Sequence, residues 1–237
     1  MHGIRAILFD KDGTLFDFHA TWGAWTARLV GELSEGDAAR RADLAAALGY
    51  DLRSGRFDPG SPVIAGTPDE VTALLLPHLP GATVTTLTAR LNAAAATAPL
   101  AEAVPLGPLM AGLRGRGLRL GVATNDAEAP ARAHLEAVGV IAAFDFVAGY
   151  DSGFGAKPGP GMLLAFAERM ALEPGEVAMV GDSRHDLAAG RAAGMVTVGV
   201  LTGLARAGEL AELADAVLPD IGHLPRLLDD GAGGVAG

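Results

Sequence analysis

Apolar and polar positions alternate in two different ways along this chain. From about residue 100 onward, short apolar runs change places with longer amphipathic stretches. The runs at 118–123, 144–148, 177–181, 196–200 and 216–218 have the length and bounding residues of buried strands. The stretches at 106–115, 127–138, 161–171, 184–193 and 206–214 have helical spacing. Such alternation predicts a parallel sheet covered by helices on both faces. The run at 4–9, equally apolar, belongs with this set.

Residues 19–98 follow another pattern, with helical periodicity and no strand expected. Trp22, Trp25 and Leu29 share one face of a helix over 19–30, which the Gly31–Gly36 stretch should end. A second helix is expected over 37–48, stopped by Gly49. The segment 51–66 is polar and rich in Gly and Pro, and reads as a connector. Thr67-Pro68-Asp69-Glu70 is a capping box with proline in the first turn, so a third helix starts there and runs to about Leu76. A fourth spans about 84–96. The expected architecture is therefore α/β: a doubly wound parallel sheet built from 1–16 and 101–230, with an α-helical cap inserted over 17–100. The Gly/Ala-rich tail 231–237 is expected to be disordered.

Composition narrows the function classes. No apolar run reaches the roughly 18 residues of a membrane-spanning helix, and two acids arrive too early for a secretory signal. Cysteine is absent, which removes disulfides and thiolate zinc sites. A cytoplasmic protein without a membrane partner is expected. A net charge of −10 with no basic stripe argues against nucleic acid. Lysine is nearly missing: Lys11 and Lys157 stand against sixteen arginines, so a lysine in the Gly/Pro loop at 157 draws notice.

Candidate chemistry collects at the strand ends. The first strand delivers Asp10 and Asp12, the second Thr124 and Asn125, and the fourth Asp182. In an open α/β sheet these ends share one rim, where ligands bind, and Lys157 follows the third strand. Buried carboxylates require a partner. A hard divalent cation such as Mg2+ suits Asp10, Asp12 and Asp182. Thr124, the Asn125 backbone N–H and Lys157 suit phosphate oxygens. One Asp can then attack phosphorus while the other moves the proton.

These residues make the chain resemble the haloacid dehalogenase superfamily. Asp10-Lys11-Asp12-Gly13-Thr14-Leu15 is similar to its first motif, Val122-Ala123-Thr124-Asn125 to its second, Lys157-Pro158 to its third and Gly181-Asp182-Ser183-Arg184-His185-Asp186 to its fourth. Ser152-Gly153-Phe154-Gly155-Ala156-Lys157-Pro158 and the cap's placement resemble the phosphoglycolate-phosphatase-like branch. The resemblance implies a Mg2+-dependent phosphatase for a small phosphorylated metabolite, with 2-phosphoglycolate the first guess. It implies Asp10 as nucleophile and Asp12 as acid/base, with metal held by Asp10, the Asp12 carbonyl, Asp182 and, partly through water, Asp186. Phosphate falls to Thr124, Asn125 and Lys157. A phosphomutase of the β-phosphoglucomutase type would use the same residues, and a non-catalytic binding module on this fold is the alternative of another class. A monomer or a homodimer is expected. Where the branch commonly has Asp-Ser, this chain has Asp17-Phe18.

Around this set, Trp22 and Trp25 read as cap core, His19 and His185 as exposed, and Ser183 as a helix cap. Arg28, Arg40, Arg41, Arg53 and Arg56 are the cap arginines from which a reader of a substrate carboxylate would come.

Overall fold

A computed structural model of the chain describes residues 3–58 and 60–232. In chain order the elements are β1 (Ala6–Phe9), α1 (Phe18–Ser34), α2 (Ala38–Ala47), β2 (Tyr50–Asp51), β3 (Arg56–Phe57), α3 (Pro68–Leu75), α4 (Val84–Ala95), α5 (Leu106–Gly115), β4 (Arg119–Ala123), α6 (Glu128–Ala137), β5 (Phe146–Ala148), α7 (Gly161–Met170), β6 (Val177–Gly181), α8 (Arg184–Ala193), β7 (Val196–Val200), α9 (Ala207–Ala211), β8 (Ala216–Leu218) and α10 (Leu224–Ala232).

The main sheet has six parallel strands in the order β5-β4-β1-β6-β7-β8. Strand β1 lies inside it, and all four of its residues are buried. The period of two along β1 sorts its side chains between two cores. Ile7 and Phe9 pack with α5, α6 and α10 through Leu106, Leu135 and Leu224. Ala6 and Leu8 pack with α7 and α8 through Phe166 and Ala189. The doubly wound α/β fold expected from the sequence is thus present.

Register fixes where the chemistry can be. Phe9 pairs with Val122 of β4 and Val180 of β6. Asp10, one residue on, and Thr124 and Asp182, each two residues on, therefore leave the sheet at nearly one level. The chain turns from β1 to β4 on one side and reaches β6 on the other, so this level is also where the strand order reverses. Such switch points open a crevice at the carboxyl ends.

Residues 17–100 build a third apolar cluster of their own, from Trp22, Trp25, Leu29, Leu44, Leu75 and Leu91 among others. The capping box foreseen at α3 is formed: the Thr67 hydroxyl accepts from the Glu70 N–H, and the Glu70 carboxylate accepts from the Thr67 N–H.

Three expectations need correction. The stretch 51–66 is not strand-free, because β2 and β3 form an antiparallel ribbon with Tyr50 opposite Phe57. Those rings meet edge to face at 5.1 Å, and the Asp51 carboxylate accepts from the Arg53 N–H within the turn. Two paired residues are too short a strand for any periodicity to announce. Helix α1 runs through Gly31 to Ser34, because Leu29, Val30 and Leu33 are buried and packing outweighs the roughly 1 kcal/mol cost of a helical glycine. Helix α10 occupies 224–232, where no helix was expected and where the tail was to begin. Residues 233–237 lie outside the described part.

Candidate active site

The carboxylate of Asp10 and the ammonium of Lys157 meet at the mouth of the crevice. Lys157 donates to Asp10 Oδ1 at 2.6 Å, to Asp186 Oδ1 at 2.6 Å and to the Ala123 carbonyl at 2.8 Å. All three of its N–H groups are thereby used by the protein. Burial opposes the lysine's charge, but the Asp10 and Asp186 carboxylates outweigh it and hold the ammonium above its usual range. Asp10 is pushed up to about 7, first by burial, which Lys157 partly offsets and Asp186 and Asp12 reinforce.

Asp182 is the least compensated acid. Among the described residues its one side-chain hydrogen-bond partner is the Thr14 hydroxyl at 3.4 Å, a long hydrogen bond. Burial, then repulsion from Asp10 and Asp186, raises it well above the ordinary carboxylate range. Close packing against glycine holds it in place. A Cβ on either Gly13 or Gly203 would overlap the Asp182 carboxylate, and Gly13 also has φ +85°. The Thr202 hydroxyl donates to the Gly13 carbonyl at 2.6 Å, tying the loop after β7 to the first motif.

The donor set fits a divalent cation. Oxygens of Asp10, Asp182 and Asp186 lie within 4.8 Å of one another. Three carboxylates face one ammonium, and the deficit is the charge that Mg2+ carries. Asp186 is the most occupied of the three. Besides the bond from Lys157, its Oδ2 accepts from the Ser183 N–H at 3.0 Å and hydroxyl at 2.6 Å, closing a capping box at the start of α8. Ser183 is thus the helix cap that the sequence implied.

Thr124 and Asn125 follow β4. The Thr124 hydroxyl accepts from the Asp126 N–H at 3.0 Å, which leaves its own proton for a ligand. The Asn125 side chain is committed to structure. It donates to the carbonyls of Ala65 and Lys157 and accepts from the Lys157 N–H. One amide therefore joins the lysine loop to the segment before α3.

A second cluster was not foreseen. Lys11, between the two acids of the first motif, is fully buried. Its ammonium contacts both oxygens of Asp12, at 2.8 and 2.7 Å, and Asp126 at 3.3 Å. It also lies 3.2 Å from Nδ1 of His134. A lysine has only donors, so Nδ1 accepts and Nε2 carries the proton, which goes to the Ala95 carbonyl at 2.7 Å. Burial, then the Lys11 charge, lowers His134 to about 4, keeping it neutral. The sequence signal was available: both lysines of the chain are buried here.

A cavity of about 90 Å3 lies over these residues. Asp10, Asp12, Thr124 and Lys157 form its polar side, and Phe18, Trp22, Trp25 and Val71 its apolar side. Trp22 and Trp25 thus belong both to the apolar cluster of residues 17–100 and to the cavity wall. Trp25 Nε1, Thr26 Oγ1 and Asn92 Oδ1, buried and without a partner among the described residues, belong to cavity-lining residues. A more open groove adjoins it, bordered by Lys157, Asp182, Arg56 and His19. His19 is half-buried there, and His185 is exposed as expected. Of the five arginines singled out in the segment 17–100, Arg56 borders the groove, whereas Arg28 and Arg40 pair with Glu32 and Glu35 on the surface.

This architecture matches known proteins. The model of the haloacid dehalogenase-like hydrolases matches residues 4–194. The chain belongs to that family. It is 39% identical over 116 residues to the phosphoglycolate phosphatase of Rhodospirillum rubrum, covering 49% of this chain and 48% of that protein. It is 38% identical over 109 residues to the phosphoglycolate phosphatase of Escherichia coli K12, covering 46% and 42%. The chain thus matches about half the length of these curated relatives. The crystal structure of a predicted phosphoglycolate phosphatase from Haemophilus somnus superposes with a TM-score of 0.73 over 96% of this chain and 99% of that one, at 18% identity. Among the described residues no helix is long and apolar enough to cross a membrane.

Proposed function

We propose that the protein is a Mg2+-dependent phosphomonoester hydrolase that works through an aspartyl-phosphate on Asp10. The observation that carries this reading is the buried convergence of Asp10, Asp182 and Asp186 around a single lysine, beside a cavity that Asp12 also lines. Asp10 attacks phosphorus, and its new O–P bond replaces the ester O–P bond. Asp12 gives the leaving oxygen its proton. In the second half Asp12 takes a proton from water as that water attacks phosphorus, and the Asp10 bond breaks. Lys157 acts chiefly as a charge beside the transferring group, since its hydrogen bonds go to the protein. The Thr124 hydroxyl and the Asn125 backbone bind phosphate oxygens. Mg2+ would be held by Asp10, the Asp12 carbonyl, Asp182 and, partly through water, Asp186, and would neutralise charge on the phosphoryl oxygens.

The segment 17–100 acts as a cap. It walls the cavity with Phe18, Trp22 and Trp25 and so excludes water from the reacting centre. The relatives' names support 2-phosphoglycolate as the first substrate to test, and Arg56, which borders the groove, is the residue we propose to meet its carboxylate. The test is phosphate release with Mg2+ from p-nitrophenyl phosphate, 2-phosphoglycolate and a panel of sugar phosphates. Free phosphate in the phosphorus NMR spectrum supports the reading. Isomerised sugar phosphate would make the protein a mutase, and no turnover at all would refute the proposal.

A further inference from the structure

The Lys11 cluster has no part in the mechanism above, yet it touches one of its members. Lys11 is fully buried, although lysine is among the residues least often buried. Its ammonium grips both oxygens of Asp12. The remaining contacts lead away from the sheet. His134 of α6 joins it to the Ala95 carbonyl at the end of α4, and the Trp22 ring of α1 lies 5.4 Å from the ammonium. Both α1 and α4 belong to the segment 17–100.

We infer that Lys11 is a positioning residue for Asp12, fixing the direction of its carboxylate through a network that closes on the cap at Trp22 and Ala95. A proton donor must sit within hydrogen-bond reach of the leaving oxygen. A carboxylate held at both oxygens cannot swing about its own side chain. Asp126 completes the device. It gives the ammonium a second carboxylate, so Lys11 stays paired while Asp12 carries the proton it delivers. The inference rests on the proposed hydrolase reading and assigns Lys11 no contact with substrate.

The test uses two esters of similar size that differ in their need for an acid. p-Nitrophenolate leaves without a proton, whereas benzyl alcohol does not. Because kcat/KM reports the chain of events up to leaving-group departure, only benzyl phosphate reads Asp12 as an acid. In Lys11→Met, kcat/KM for benzyl phosphate should fall about 10²-fold, the scale of a general acid's contribution. For p-nitrophenyl phosphate it should change by less than about threefold. The ratio is internal to each preparation, so partial unfolding cancels. Equal loss on both esters would mean a merely structural lysine, and no loss on either would mean no role; each overturns the inference. Should Lys11→Met fail to fold, the isosteric Asp126→Asn decides by the same ratio, moved in the same direction. A wild type that hydrolyses neither ester refutes the hydrolase reading and this inference with it. A wild type active on both, with an unmoved ratio in the variants, refutes the role of Lys11 alone.

Discussion

The ammonium of Lys157 donates to Oδ1 of Asp10 at 2.6 Å, across 147 residues of sequence, and both groups are buried. The contact joins the ends of two distant segments into one charged centre. Breaking a buried pair from one side strands the other charge, at a cost of about 3–5 kcal/mol. Lys157→Met should therefore lower both properties at once. Stability measured by urea unfolding at neutral pH should fall by that amount. Phosphate release should fall on the order of 10²-fold, as when one charge-stabilising group is removed from an active site. A variant with wild-type turnover would show that the lysine serves the fold alone.

Gly203 offers a cleaner perturbation of the acid cluster, since no catalytic side chain is changed. A Cβ there overlaps the Asp182 carboxylate, which must then move. Gly203→Ala should raise the Mg2+ concentration for half-maximal activity about tenfold, the lower end of the loss seen when groups supporting metal ligands are disturbed. Titration of activity with Mg2+ checks this. An unchanged requirement would mean that Asp182 takes no part in holding the ion.

His134 gives the fold a pH dependence of known sign. Burial, then the Lys11 charge, lowers its pKa from the ordinary 6.5 to about 4. The folded protein keeps the ring neutral, while the unfolded chain binds a proton below 6.5. The stability it contributes is complete above pH 6.5 and is lost as pH falls toward 4, by at most about 1.4 kcal/mol per pH unit. The raised Asp10 works in the opposite sense, so total stability does not isolate the histidine. The difference between wild type and His134→Gln does. Urea unfolding at several pH values between 7 and 4.5 should show the wild type losing stability more steeply than the variant.

Arg56, in the segment 17–100, borders the groove beside Lys157 and Asp182. Charged hydrogen bonds contribute about 1.5–3 kcal/mol. Arg56→Ala should therefore raise KM for 2-phosphoglycolate by roughly tenfold or more and leave p-nitrophenyl phosphate, which has no carboxylate, nearly unaffected. Equal effects on the two would remove Arg56 from substrate recognition.

Much of this was legible in the sequence, for identifiable reasons. Strand ends carrying Asp10, Thr124 and Asp182 stand out because apolar runs stop abruptly at polar residues, and parallel topology then sends them to one edge. The Thr67 and Ser183 caps are local motifs and could be read directly. Contacts between distant residues could not. Nothing near Gly203 or Thr202 marks them as neighbours of Asp182 and Gly13, because that approach is made only when β7 takes its place beside β6. The structural role of the Asn125 side chain is another such contact, since its partners are 60 and 32 residues away. Lys11 was the more available clue. The scarcity of lysine that singles out Lys157 applies equally to the lysine inside the first motif.

The central claim is that Asp10 carries the phosphoryl group. The most direct measurement is acid quenching of Asp12→Asn with Mg2+ and p-nitrophenyl phosphate, whose leaving group needs no acid, followed by mass spectrometry of its peptides. Without the base for the second step, the intermediate should accumulate, and phosphate should be found on the peptide containing Asp10. Asp10→Asn should show neither label nor phosphate release. Full phosphate release by Asp10→Asn, or a label on another residue, would contradict the account.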